Sequence, residues 1–97
     1  MIEIRIITTA GCEGCRIMKN IADKAVKQLT SDSNLNIKVT TFDCLDESIR
    51  HFVNRYQVKD YPATFIIKNN EVKDRIYGTT SKNSMIEHIV SLLLEDV

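Results

Sequence analysis

The sequence predicts an α/β fold in the order β-α-β-α-β-β-α, with a four-stranded mixed sheet flanked by helices. Three observations predict it. Short β-branched runs alternate with stretches whose apolar residues recur at spacings of 3 and 4. The last two strand-like runs are separated only by Asn69–Asn70, and the 97 residues leave room for one core and one domain, 1–97.

The first strand covers residues 2–7, where Ile2, Ile4, Ile6 and Ile7 alternate or run apolar. "TTAGCEG" breaks that pattern and a helical period follows. Cys15, Met18, Ala22, Ala25, Val26 and Leu29 share one face, and Lys19, Asp23 and Lys27 face away. This helix is expected to stop in "TSDSN", which is rich in turn formers. Asn36–Phe42 is β-branched and forms the second strand. Ile49, Phe52, Val53 and Tyr56 mark a second, shorter helix.

Ala63–Lys68 reads as a continuous apolar strand, and Asn69–Asn70 can supply the positive φ values of a tight hairpin. Glu71–Tyr77 returns with Val72 and Ile76 on one face, and Gly78 ends it. The last helix carries Met85, Ile86, Ile89, Val90, Leu93 and Leu94, with Ser81 or Ser84 as cap and Ser84–Glu87 as a capping box. Helix-linked strands are expected to pair in parallel through right-handed crossovers, with the hairpin adding an antiparallel edge.

Composition narrows the function. Thirteen basic residues balance 13 acidic ones, with no block of like charge, so neither nucleic acid nor an anionic membrane is the expected partner. "MIEIRIITT" is interrupted by Glu3 and Arg5, unlike a signal peptide, and no window approaches a membrane span. Three cysteines cannot form a fully paired framework, so the expected compartment is the cytoplasm, where a CxxC pair is more often catalytic or metal-binding than structural.

Two of those cysteines, Cys12 and Cys15, stand in "AGCEGCR" where the first strand gives way to the first helix. A helix N-terminus offers free N–H groups and a positive dipole end, which favour a thiolate. The spacing brings Cys15 back beside Cys12, within reach of a disulfide. Cys12 is then the thiol that attacks a substrate disulfide, and Cys15 the one that resolves the mixed disulfide. Glu13 opposes the helix field in part. Gly14 keeps the turn free of bulk. Arg16 can return positive potential, and Gly11 precedes the pair. Zinc binding and inert packing remain as weaker alternatives. Zinc would need further ligands from Cys44, His51 and His88, which are scattered along the chain.

"CEGC" at a strand–helix junction, "YQVKDYPATFIIKNNEV", "YG" and "TSKNSMIEHI" together resemble the thioredoxin superfamily over essentially the whole chain. The resemblance implies a thioredoxin-like fold and a protein disulfide oxidoreductase, with Pro62 as the cis-proline beside the cysteines. It implies that Tyr61, before that proline, pairs through its backbone with an extended disulfide-containing substrate. It further implies a redox-active Cys12–Cys15 disulfide in place of any cofactor or metal, an electron donor that is a reductase or glutathione, and a monomer.

The chain departs from the family in several places. Gly11 stands where thioredoxins carry a tryptophan, and "EG" replaces "GP" between the cysteines. The family's buried acid would fall on Ile6, leaving base help for the resolving thiol to Glu13 or water. The length is closer to glutaredoxins and small glutaredoxin-like thioredoxins, but Gly78–Thr79 is not the Gly-Gly pair that contacts glutathione, so a thioredoxin-like activity is preferred. The alternatives are a glutathione-linked protein, a non-catalytic redox-sensing module of the same fold, and, from "CEGCR", an arsenate-reductase or Spx-type protein. Cys44 is expected to be a buried structural thiol, His51 and His88 solvated or satisfied, and Tyr77 sheet packing.

Overall fold

The computed structural model describes residues 1–31 and 34–95; Asp32 and Ser33, within the expected "TSDSN" turn, lie outside the described residues. The elements are β1 (Ile2–Thr8), α1 (Glu13–Thr30), β2 (Ile37–Asp43), a 3-10 turn (Glu47–Ile49) running into α2 (Arg50–Arg55), β3 (Ala63–Lys68), β4 (Glu71–Tyr77) and α3 (Lys82–Leu94). The order is the one expected, and the four strands form one mixed sheet, β2-β1-β3-β4. Asn69 and Asn70 both take positive φ in the β3–β4 hairpin.

Strand direction differs from expectation. β1 and β2 pair in parallel, whereas β3 lies antiparallel to β1 and next to it rather than to β2. The connection through α2 is long enough for a parallel crossover, but α2 covers only part of the sheet's length and the chain then turns back. Six helical residues span about 9 Å, while a seven-residue strand spans about 23 Å. Gln57, at φ 51°, reverses the chain after α2, and residues 57–62 carry it back to the end of the sheet it had left.

Val72 and Ile76 do not share a face. Ile67 pairs with Val72 and Ile66 with Asp74, so Lys73 is an extra residue in a bulge. One extra residue inverts the alternation of side chains. Ile76 therefore joins the cluster on one face and Val72 packs on the other.

The core is split by the sheet. Ile2, Ile4, Ile6 and Ile66 pack against Met18, Ala22 and Ala25 of α1 and Met85, Ile89 and Leu92 of α3. Ile7, Ala63, Phe65 and Ile67 pack on the other side with Ile49 and Val58, flanked by Phe52 and Tyr56. Burying each large aliphatic or aromatic side chain stabilises the fold by about 1.5–3 kcal/mol. In α3, Leu92 rather than Leu94 turns inward, and Leu94 is exposed. Ser81 is the cap of α3, its Oγ accepting the Ser84 N–H at 3.0 Å; Ser84 lies inside the helix, which removes the Ser84–Glu87 box. Among the described residues no helix is long and apolar enough to cross a membrane.

Candidate active site

β1 ends at Thr8 and α1 begins at Glu13, and the intervening turn delivers the cysteines. Gly11, at φ 69°, takes the left-handed conformation that reverses the chain there. Cys12 follows in extended conformation as the N-cap of α1, its Sγ accepting the Cys15 N–H at 3.0 Å. Cys12 and Cys15 are joined in a disulfide, with their Cα atoms 5.3 Å apart. Cys12 is half-buried and Cys15 only 6% exposed, so the bond has an outer and an inner sulfur. A thiolate at Cys12 would meet free N–H groups and the positive end of α1, both of which favour the anion.

Glu13 and Arg16 form an exposed ion pair with each other, so each spends its field on the other. Gly14 has a packing role. A β-carbon there would stand 3.3 Å from Pro62 Cδ and 3.5 Å from Thr79 Cγ2, so the bare glycine lets the first turn of α1 lie against both.

Pro62, just before β3, lies against Gly14 between the two cysteines. The Tyr61–Pro62 peptide bond is cis, and the Gly78 N–H donates to the Pro62 carbonyl at 2.9 Å, tying the proline to the end of β4. β3 begins pairing with β1 only at Ala63, so among the described residues no backbone partner takes the N–H or carbonyl of Tyr61. The half-buried Tyr61 hydroxyl donates to the Val58 carbonyl at 3.4 Å. Burial first, and then the neighbouring Cys44 thiol and Asp43 carboxylate, push its phenol above its ordinary pKa.

Cys44 is half-buried rather than buried. Its N–H donates to the Thr8 carbonyl at 2.8 Å, its Sγ lies 3.7 Å from Thr9 Oγ1, and it packs on the α2-side cluster. It is a free thiol at the same end of the sheet as the disulfide. His88 contacts Asp74 between α3 and β4, and His51 is exposed on α2. Among the described residues no group of His, Cys, Asp and Glu could hold a metal.

The structure thus gathers Gly11, Cys12, Glu13, Gly14, Cys15 and Arg16 in one turn and sets Pro62 against it. Thr79 at this site had no signal in the sequence beyond its place after Gly78. An open groove of about 560 Å³ runs beside the disulfide on the other flank, lined by Thr8, Thr9, Cys12, Arg16, Lys19 and Thr41 among others. Ile6, where the resemblance would place an acid, is fully buried and paired in register with Thr64 of β3.

Comparisons with known proteins agree with this geometry. The family model described as Thioredoxin matches residues 7–91. A thioredoxin of Rickettsia bellii (strain RML369-C) is 32% identical over 78 residues, covering 80% of this chain and 69% of that protein. Two solved structures share the fold. One is titled as a malarial protein, with TM-score 0.73 and 19% identity over 94% of this chain and 96% of that one. The other is thioredoxin-2, described as a component of malaria parasite protein secretion machinery, with TM-score 0.76 and 18% identity over 94% and 82% of the two chains.

Proposed function

Because this chain belongs to the thioredoxin family and is a thiol–disulfide oxidoreductase, we propose that it reduces protein disulfides with Cys12 as the attacking thiol and Cys15 as the resolving one. The observation that carries this is the disulfide itself: its outer sulfur sits at the cap of α1 and accepts the Cys15 N–H. In the reduced protein the Cys12 thiolate attacks one sulfur of a substrate disulfide and expels the other. Cys15, already one turn away, attacks Cys12 Sγ and releases the substrate as a thiol.

Tyr61 and Pro62 bind the substrate. The free backbone groups of Tyr61 supply a short edge to which an extended peptide adds as a strand, while Pro62, buried against Gly14 between the cysteines, offers no competing N–H. Gly11 leaves the approach open, Gly14 lets Pro62 close on the first turn of α1, and Glu13 and Arg16 form the charged rim. The redox-active disulfide is the whole chemical apparatus, with no cofactor required. Residues 1–97 act as one thioredoxin-like domain, as a monomer, in the cytoplasm. The unpaired Cys44 suits such a reducing compartment. The electron donor is a dithiol reductase.

The test is insulin reduction with dithiothreitol or with a thioredoxin reductase and NADPH as donor, in wild type and Cys12→Ser. Wild type should turn over with either donor and the variant should fall to background. Equal rates in the two proteins would overturn the assignment. Turnover with glutathione alone would replace the reductase as donor.

A further inference from the structure

One buried hydroxyl has nothing to bond. Thr64 Oγ1 is fully buried and, among the described residues, is the one buried side-chain nitrogen or oxygen without a hydrogen-bond partner. Leaving a buried hydroxyl unsatisfied costs about 1–3 kcal/mol, whereas an apolar group of the same shape avoids that cost. Such a group points to a partner that is absent in the oxidised state described here.

The position of Thr64 identifies the partner. Thr64 is in register with Ile6 of β1 and Ile76 of β4, both of which lie in the cluster beneath α1 and α3, so Thr64 faces the layer formed by those two helices. The buried stripe of α1 is Cys15, Met18, Ala22 and Ala25. Cys15 is therefore one turn nearer than Met18 to the end of the sheet where β1 finishes and β3 begins. Thr64 lies at that end, two residues after Pro62, whose ring abuts Gly14. The other buried polar residue, Lys68, is at the far end of β3, where its Nζ donates to the Leu92 carbonyl at 2.7 Å. No buried acid or base is therefore described near Cys15, and among the described residues Thr64 is the one buried polar side chain at the Cys15 end of that face.

Resting on the assignment of Cys15 as the resolving thiol, we infer that Thr64 donates a hydrogen bond to the Cys15 sulfur in the reduced protein and stabilises its thiolate for attack. Burial alone disfavours the thiolate, and a donor aimed at the sulfur offsets that. The steps balance without a buried base. The Cys12 thiolate attacks RS–SR′, forming Cys12–S–SR and expelling R′S⁻. Cys15 gives its proton to R′S⁻, directly or through water, making R′SH. The Cys15 thiolate then attacks Cys12 Sγ, and RS⁻ leaves with the electron pair of the broken S–S bond. The dithiol loses two electrons and the substrate gains two. Closing the disulfide draws Cys15 Sγ to Cys12, and the Thr64 hydroxyl is left unpartnered, as observed.

The probe is 5,5′-dithiobis(2-nitrobenzoate), added in slight excess to the reduced protein. The first chromophore released reports attack by Cys12 and the second reports resolution by Cys15. Thr64→Val should leave the first phase unchanged, slow the second about five- to tenfold and move its pH midpoint upward. Thr64→Ser should restore both. Thr64→Val should also favour the disulfide about five- to tenfold in a glutathione titration, while its oxidised form melts no lower than wild type. A second phase with the wild-type rate and pH midpoint would overturn the inference. So would an oxidised Thr64→Val protein clearly less stable than wild type, since the hydroxyl would then be satisfied in that state. Thr64→Ala, which cannot clash, repeats the test if the valine variant does not fold. The resolving role itself is checked separately: Cys15→Ser must lose the second phase, and if it does not, the assignment of Cys15 falls rather than that of Thr64.

Discussion

The Cys15 N–H donates to Cys12 Sγ across 3.0 Å, so the first turn of α1 places a donor on the outer sulfur of the disulfide it carries. The same donor remains when the bond is reduced, and the Cys12 thiolate inherits it. Iodoacetamide should alkylate Cys12 with a pH midpoint below the about 8.5 of an ordinary thiol. A midpoint at or above that value would remove the case for Cys12 as an activated nucleophile.

Gly14 and Gly11 should respond differently to alanine. Gly14 is helical, so alanine gains about 1 kcal/mol of helix propensity, but its β-carbon crowds Pro62, which the Gly78 N–H holds in place. Gly14→Ala should therefore keep a near-normal melting temperature while kcat/KM for insulin reduction falls severalfold. Gly11 has open space around its β-position but sits at φ 69°, so Gly11→Ala should cost about 1 kcal/mol of stability through backbone strain. Melting curves of the two variants, with the Gly14→Ala rates, separate contact from conformation. A Gly14→Ala protein with wild-type kcat/KM would mean that Pro62 can retreat freely.

Glu3 makes stability depend on acid pH. Burial pushes its carboxyl up, but hydrogen bonds from Arg5 (2.7 Å) and Thr40 (2.6 Å), with the charges of Arg5 and Lys38, outweigh it and leave the pKa below the ordinary value. A carboxyl with a lowered folded pKa adds stability above its unfolded pKa of about 4.3 and loses it as pH falls through the folded value. Glu3→Gln should be less stable than wild type at pH 7 by about 1 kcal/mol, and the gap should shrink towards pH 3. Urea midpoints at the two pH values measure it, and a gap of constant size would contradict the assignment.

The α3 cap gives a paired comparison. Ser81 Oγ accepts the Ser84 N–H, and Ser84 lies within the helix. Ser81→Ala should cost about 1 kcal/mol, and Ser84→Ala clearly less. Thermal denaturation of both would reverse the assignment if Ser84→Ala proved the costlier.

The sequence by itself determined the number, order and type of the elements, because apolar periodicity records which face of each segment leaves water. β3 and β4 have the expected limits, and the cysteines stand at the strand–helix junction that the change of period marks. Tertiary structure decided the rest, since it depends on how distant segments meet. The direction of β3 turned on the reversal of the chain after α2, which returns it to the end of the sheet it had left. The opposite facing of Val72 and Ile76 came from the bulge at Lys73, which even spacing cannot reveal. Gly14 against Pro62, and Thr64 unpartnered on the face that carries Cys15, arise where β3 closes on the first turn of α1. No local pattern encodes such a meeting, because each contact is between residues far apart in the chain and is made only when the whole sheet packs.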